Sequence, residues 1–178
     1  MSEERFAKVF RSSPDAITIT DPWDGGRIIE VNEGFERLSG YSHQEAVGRT
    51  TVELGLGVRP EEREAGARTL AETGRLHQEA EVVSRRGERR TCLISAEMIA
   101  IGDRRLAVAV TRDVTEQRQA EQRLRQSEER LRLALDAAGL GTWEWDLRTR
   151  VGPADARTDA LLGGGPAAPA GPIGARRG

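Results

Sequence analysis

The sequence predicts an α+β fold: two strands, a group of small helices, three more strands, and then one long helix. Three observations predict it. Runs rich in β-branched residues, with apolar and polar positions alternating, occupy residues 16–31 and 76–113; between them apolar residues recur at helical spacing. After Asp113 the period lengthens into a heptad-like row, the pattern of a connector and not of a core element.

The first element is a short helix over Glu3 to Arg11, with Phe6, Val9 and Phe10 on one face and Ser12-Ser13-Pro14 as its stop. Ala16 to Thr20 sets Ile17 and Ile19 among threonines, Asp21 to Gly26 supplies turn residues, and Arg27 to Val31 is the return strand of a hairpin. From Asn32 the spacing becomes helical, with Phe35 and Leu38 on one face and Gly40 as the stop. Ser42 starts another short helix, and Glu45 completes its capping box. Glu61 to Thr73 reads as a longer helix closed by Gly74. Strands follow at Leu76 to Arg85, Arg90 to Ile101 and Arg105 to Asp113, with turns at Gly87 and at Gly102-Asp103. The row Ala120, Leu124, Ser127, Leu131, Ala134, Ala138 predicts a helix from Glu116 to Ala138. Such a helix is about 35 Å long at about 1.5 Å per residue. Thr115 is expected to be its N-cap, with Glu116 at the positive end of its dipole.

The chain also repeats itself. Ser2-Glu3-Glu4-Arg5 returns as Ser127-Glu128-Glu129-Arg130, and Phe6, Val9 and Phe10 line up with Leu131, Ala134 and Leu135. The period suits a self-contained domain with a connector, not a solenoid unit. Gly139 breaks the long helix, Thr142-Trp143-Glu144-Trp145-Asp146 alternates like the first strand, and the echo fades by Gly163. Residues 164–178, rich in Gly, Pro and Ala, have almost nothing to bury and are expected to be disordered. The expected organisation is a domain with its leading helix over 1–115, a connector over 116–138, the start of a second copy over 139–163, and a tail. An unfinished second copy points to a fragment, a shifted frame or a truncated product.

Composition narrows the function classes. The net charge of −2 comes from interspersed acids and bases, so no field draws in nucleic acid or an anionic membrane. Cys92 is the only cysteine, which rules out an intrachain disulfide and any thiolate zinc or iron–sulfur centre built by one chain. No stretch approaches the roughly 20 apolar residues of a spanning helix, and residues 1–11 lack the core of a signal peptide. The expected location is cytoplasmic. No phosphate-cradling G-x-x-x-x-G-K-[ST] loop or H-E-x-x-H metal pair is present, and no Ser/His/Asp spacing exceeds chance, so catalysis within this chain is not expected.

Several spaced motifs carry a resemblance. Ser13-Pro14-Asp15-Ala16, Gly26 to Asn32, Leu38-Ser39-Gly40-Tyr41-Ser42, Glu45 and Gly48-Arg49 resemble the front half of a PAS domain. Arg85-Arg86-Gly87 and Asp113-Val114-Thr115-Glu116, leading into Arg118, Ala120 and Glu121, resemble its C-terminal half and exit helix. Gly139 to Leu147 looks like the start of another. The resemblance implies a five-stranded antiparallel sheet with small helices across one face. It also implies a cytoplasmic sensory and dimerising module of bacterial signalling proteins, placed ahead of a histidine kinase or a diguanylate cyclase. By the same resemblance Asp113 and Thr115 couple the domain to its output helix, although Thr115 also reads simply as a helix cap.

The remaining candidates are weighed from the residues. Asn32, Phe35, Leu38, Ile94, Met98, Val108 and Val110 are a candidate pocket lining between sheet and helices, for a metabolite or flavin; the plainer reading is a filled core, since no polar groups converge there. Cys92 sits on a strand, whereas blue-light relatives carry their flavin-bonding cysteine in an Asn-Cys-Arg-Phe context on a helix; after Gly48 this chain reads Arg49-Thr50-Thr51-Val52. A cysteinyl flavin is disfavoured, and Cys92 reads as a small buried residue. Haem is disfavoured too, because the helix 61–73 holds no histidine, and His43 and His77 fit neither an axial ligand nor a kinase phosphoacceptor. No cofactor is required. The basic cluster Arg85, Arg86, Arg89, Arg90 reads as a solvated turn. Ala120, Leu124 and Leu131 mark the face through which two chains would pair, so the expected partners are a second copy, a downstream output domain and, if the pocket is real, a small molecule.

Overall fold

The computed structural model describes residues 3–57, 59–140, Thr142 and Thr158. Of residues 139–178, where the sequence leads one to expect the start of a second copy and a tail, only Gly139, Leu140, Thr142 and Thr158 fall among these, so those expectations lie outside the described residues. The chain divides into two units, residues 1–119 and 120–178.

The elements are α1 (Glu3–Ser12), β1 (Ala16–Asp21), β2 (Arg27–Val31), α2 (Glu33–Ser39), α3 (His43–Ala46), α4 (Pro60–Thr73), β3 (Arg75–Val83), β4 (Arg89–Ile101), β5 (Arg104–Asp113) and α5 (Thr115–Ala138). The five strands form one sheet in the order β2-β1-β5-β4-β3, every pair antiparallel. The first strand therefore lies beside the last, with Ala16 opposite Thr111.

Helix boundaries follow local chemistry. The Asn32 side chain accepts the Phe35 N–H at the start of α2, and Gly40, at φ 78°, closes that helix in the left-handed conformation that glycine adopts without strain. The capping box of α3 is complete: Ser42 accepts from Glu45, and Glu45 accepts from Ser42. The Ser42 N–H, followed by the Arg85 guanidinium, holds the Glu45 carboxyl down to about 2. Strand β3 ends at Val83, short of the expected Arg85, because Ser84 opens the turn: its N–H reaches the Glu88 carbonyl and its own carbonyl takes the Gly87 N–H.

Pairing register sorts the strand residues onto two faces. Ala16, Thr18, Ala107, Ala109, Thr111, Ile94, Ala96, Met98, Leu76 and Gln78 share the face beneath the helices; Ile17, Ile19, Leu106, Val108, Val110, Ser95 and Ile99 share the other. On the helix side Ala16, Ile28, Val31, Phe35, Ala46, Leu54 and Leu56 form the core, with Leu38, Tyr41 and Val47 packed against it. Each fully buried large side chain there contributes about 1.5 to 3 kcal/mol. The segment 50–57 lies over this core, held by side chains: Tyr41 Oη, Arg49 and Arg63 donate to the carbonyls of Leu54, Glu53 and Leu56.

Candidate functional site

The junction of β5 and α5 is held by a close set of hydrogen bonds and ion pairs. Val114, buried between strand and helix, donates its N–H to the Thr91 carbonyl at 2.9 Å. Thr115 Oγ1 accepts the Thr91 N–H at 2.9 Å, so both backbone groups of Thr91 on β4 are committed to the start of α5. Thr115 is not the N-cap expected of it. The helix already includes it, and its own N–H is taken by Asp113 Oδ1 at 2.9 Å, so the aspartate supplies the cap and the threonine is free to hold the neighbouring strand.

The other oxygen of Asp113 receives Arg90 Nη1 at 3.0 Å, and Arg90 Nη2 also reaches Glu88 at 2.8 Å. Partial burial disfavours the Asp113 carboxylate, but hydrogen bonds from Thr115 and the Arg90 guanidinium outweigh it and hold the carboxyl below the usual range. One turn into α5, the Arg118 side chain reaches Glu79 of β3 at 2.8 Å and its N–H closes on the Val114 carbonyl. The first turn of α5 is thus tied to β3, β4 and β5 together. A shift between those strands must move the helix start or break charge-assisted bonds. Thr91 and Glu79 carry no local signal in the sequence, Arg90 reads there only as part of a solvated turn and Arg118 only as part of the exit-helix motif: the four meet only once β3, β4 and β5 are in register.

The candidate pocket lining is divided by the same register. Phe35 and Leu38 lie in the core, and Ile94 and Met98 are half-buried on the helix side. Val108 and Val110 point to the opposite face, since they pair with Glu97 and Ser95 while Ile94 and Met98 pair with Thr111 and Ala107. They line a groove of about 760 Å³ on that face with Ile99, Ser95, His77, Arg75 and Glu97. The polar groups of this groove are paired among themselves, Arg75 with Glu97 at 2.9 Å and His77 with Ser95 at 2.9 Å. Asn32, 2% exposed, is fully committed: Oδ1 accepts from Ile17 N–H at 2.8 Å and Phe35 N–H at 2.9 Å, while Nδ2 donates to the carbonyls of Phe10 at 3.0 Å and Asp15 at 2.9 Å. Its amide is a brace, with nothing left for a ligand.

Cys92 is fully buried on β4, opposite Asp113. Burial first, and then the Asp113 charge, push its thiol up to about 11, so it stays protonated and poorly nucleophilic at neutral pH. A maleimide at neutral pH should leave the native protein unmodified and label one thiol per chain after unfolding; labelling of the native protein at the rate of a free thiol would refute this placement.

His43 is about half exposed and pairs with Glu30 at 2.6 Å. In the basic cluster Arg85 meets Glu45 and lies over the Tyr41 ring, Arg89 meets Glu81, and Arg90 meets Glu88 and Asp113. Most of that cluster is neutralised in place. Among the described residues no group of three metal-ligating side chains converges, and no helix is long and apolar enough to cross a membrane. On α5, Leu124 and Leu131 are 61% and 60% exposed, with Ala120 and Ala134 exposed on the same row.

Comparison with known proteins bears on this fold. The family described as PAS fold matches residues 10–119. The crystal structure of the PAS domain of a protein from Colwellia psychrerythraea is similar over 64% of this chain and 97% of that one, at 25% identity and a TM-score of 0.54. An RNA-binding light-oxygen-voltage receptor matches over 71% of this chain, at 22% identity and a TM-score of 0.61; the match spans 37% of that protein. A PAS domain from a two-component sensor histidine kinase matches over 62% of this chain and 96% of its own, at 15% identity and a TM-score of 0.52. No curated protein matches.

Proposed function

The chain belongs to the PAS fold family, and from that premise we propose that it is a cytoplasmic sensory and dimerising module that passes a signal through α5 to an output domain. A histidine kinase or a diguanylate cyclase is the proposed output. The chain itself carries no catalytic step. The reading is supported above all by the junction of β5 and α5, where Asp113 and Thr115 fasten the helix start to β4 and Arg118 fastens it to β3. Residues 1–115 are assigned to the sensory domain with its leading helix, 116–138 to the connector, 139–163 to the start of a second copy and 164–178 to a tail.

The relay is tested on Asp113. Replacing it by alanine removes one exposed ion pair and one cap, so Asp113→Ala should cost only about 1 kcal/mol and leave the fold intact. In a complete protein that carries this module ahead of a kinase or cyclase, the same variant should lose the difference in output between stimulated and unstimulated states. Undiminished signalling in Asp113→Ala would reject the relay. Thr115→Val, which keeps the side-chain shape but strips the Thr91 N–H of its acceptor, should uncouple in the same way.

Dimerisation is assigned to the α5 row, because Leu124 and Leu131 expose apolar side chains at heptad spacing on a helix rich in Arg, Gln and Glu. The occupant proposed is the same row of a second copy. Sedimentation should show a concentration-dependent dimer, and the double substitution Leu124→Glu with Leu131→Glu should leave monomers; an unchanged oligomeric state would assign that row elsewhere.

A second reading, a passive interaction module without a ligand, is favoured by one observation: the Asn32 amide is saturated by the protein itself, and Phe35 and Leu38 are packed as core. A thermal-shift screen of metabolites and flavins separates the two. A specific small molecule that raises the melting temperature supports the sensor, and a uniformly silent screen supports the passive module.

A further inference from the structure

The relay reading concerns how the sheet reaches α5; a separate set of contacts reaches the same place from α1. The carbonyl of Phe10, in the last turns of α1, is held by Asn32 Nδ2, and the same nitrogen holds the Asp15 carbonyl. Asp15 then turns its carboxylate across to β5, where Arg112 grips it with Nε at 3.2 and 3.1 Å and Nη2 at 2.7 Å. Arg112 is the residue immediately before Asp113. The exit of α1 and the entrance of α5 are therefore fastened to each other at one end of the β1–β5 pair, with Ala16 opposite Thr111 beside them. At the far end of the same pair Asp21 and Arg104 make a comparable contact at 2.7 Å, but only the three-residue 3-10 turn Pro22–Asp24 follows there, and neither α1 nor α5 is attached to that end.

The internal repeat gives this arrangement a use. In its register residues 3–12, which form α1, correspond to residues 128–137, the last ten residues before Ala138 at the end of α5. The helix that leaves one copy contains the helix that enters the next. An entering helix is thus the same kind of object as an exiting one, and a module that joins the two rigidly passes movement along a series.

We infer that Asp15 and Arg112, steadied by Asn32, couple the entry helix α1 to the start of the exit helix α5, so that this module transmits displacement from an upstream helix as well as from its own sheet. The partner on the input side is a helix delivered by a preceding module, and the residues that set the coupling are Asp15 and Arg112. The second copy has Leu140 at the position of Asp15 and Arg157 at that of Asn32, so the coupling belongs to the first copy. This inference rests on reading the module as a relay, but its test does not need an output domain.

Backbone amide hydrogen exchange is measured on the full 178-residue chain. Arg112→Ala should speed exchange in residues 114–118 and in the last turn of α1 by about two- to fivefold, the range expected for losing an exposed but well-aligned ion pair, and leave the β3–β4 turn unchanged. Arg104→Ala, which removes the matching pair at the other end of the same strands, should leave both helix segments at the wild-type rate. The exchanged pair, Asp15→Arg with Arg112→Asp, should bring both segments back toward wild type. Unaltered exchange at 114–118 in Arg112→Ala, equal acceleration by Arg104→Ala, or no recovery in the exchanged pair each overturns the inference. Failure here with a signalling defect intact in Asp113→Ala strikes this coupling alone; the reverse pattern strikes the relay reading.

Discussion

Gly34→Ala should lower stability by about 3 kcal/mol, at the upper end of what overpacking costs, and the melting temperature by about 12 °C at roughly 4 °C per kcal/mol for a domain of this size. Gly34 is the second residue of α2, and a methyl group there would sit 2.3 Å from the Asp15 carbonyl oxygen, 2.7 Å from its carbon and 3.1 Å from the Ala16 nitrogen. These are backbone atoms of the α1–β1 connection, held in place by Asn32 and by β1, so they cannot turn aside as a side chain would. The better helix propensity of alanine returns about 1 kcal/mol, which is too little to change the sign. Gly66 in α4 provides the contrast. A methyl there meets the Gln78 amide at 3.2 and 3.3 Å and a Leu76 methyl at 3.3 Å, all movable ends. Gly66→Ala should therefore be neutral, or stabilising by up to about 1 kcal/mol. Chemical denaturation of the two variants side by side decides the matter: equal effects would refute the close approach at Gly34.

Asn32→Ala is expected to be still more costly, about 4 kcal/mol, because it removes four hydrogen bonds at once around a buried side chain. The Ile17 N–H loses the acceptor that Asn32 supplies and the carbonyls of Phe10 and Asp15 lose its donor, while the Phe35 N–H keeps a backbone contact to residue 32. Asn32→Asp keeps the accepting oxygen but turns a carboxylate toward two carbonyls. Its folded-state pKa must rise above the ordinary aspartate value of about 3.9. The sign is then fixed: protonation favours the folded state, so this variant should regain stability as the solution is acidified through the raised value, and lose it as pH increases. Denaturation midpoints at several pH values measure this directly. A variant indifferent to pH would mean that the amide nitrogen does not face those carbonyls.

The elements legible in the sequence were those whose signals are local. Ser42 with Glu45, Gly40 and Gly74 mark helix ends through contacts within four residues, and the structure places each where its chemistry requires. What the sequence hides is which face of a strand meets the helices. On β5 the larger residues, Leu106, Val108 and Val110, alternate with Ala107 and Ala109, and the larger set looks like the core side. The helices instead lie over the small side, where Ala107 is 4% exposed, and this put Val108 and Val110 in the wrong compartment. Alternation reveals that a strand has two faces; only pairing with β4 reveals which is which. The error at Thr115 has the same origin. A threonine before a helix is a good cap in isolation, but the neighbouring strand offers it the Thr91 N–H, and Asp113 does the capping in its place.

The adjacency of β1 and β5 has one more consequence. A sheet whose opening and closing strands are neighbours receives and releases its chain at a single point, so the two ends need only a short span to be joined or to be grafted into a host's surface loop. Such a unit can be excised, duplicated or transplanted by recombination without threading anything through its interior.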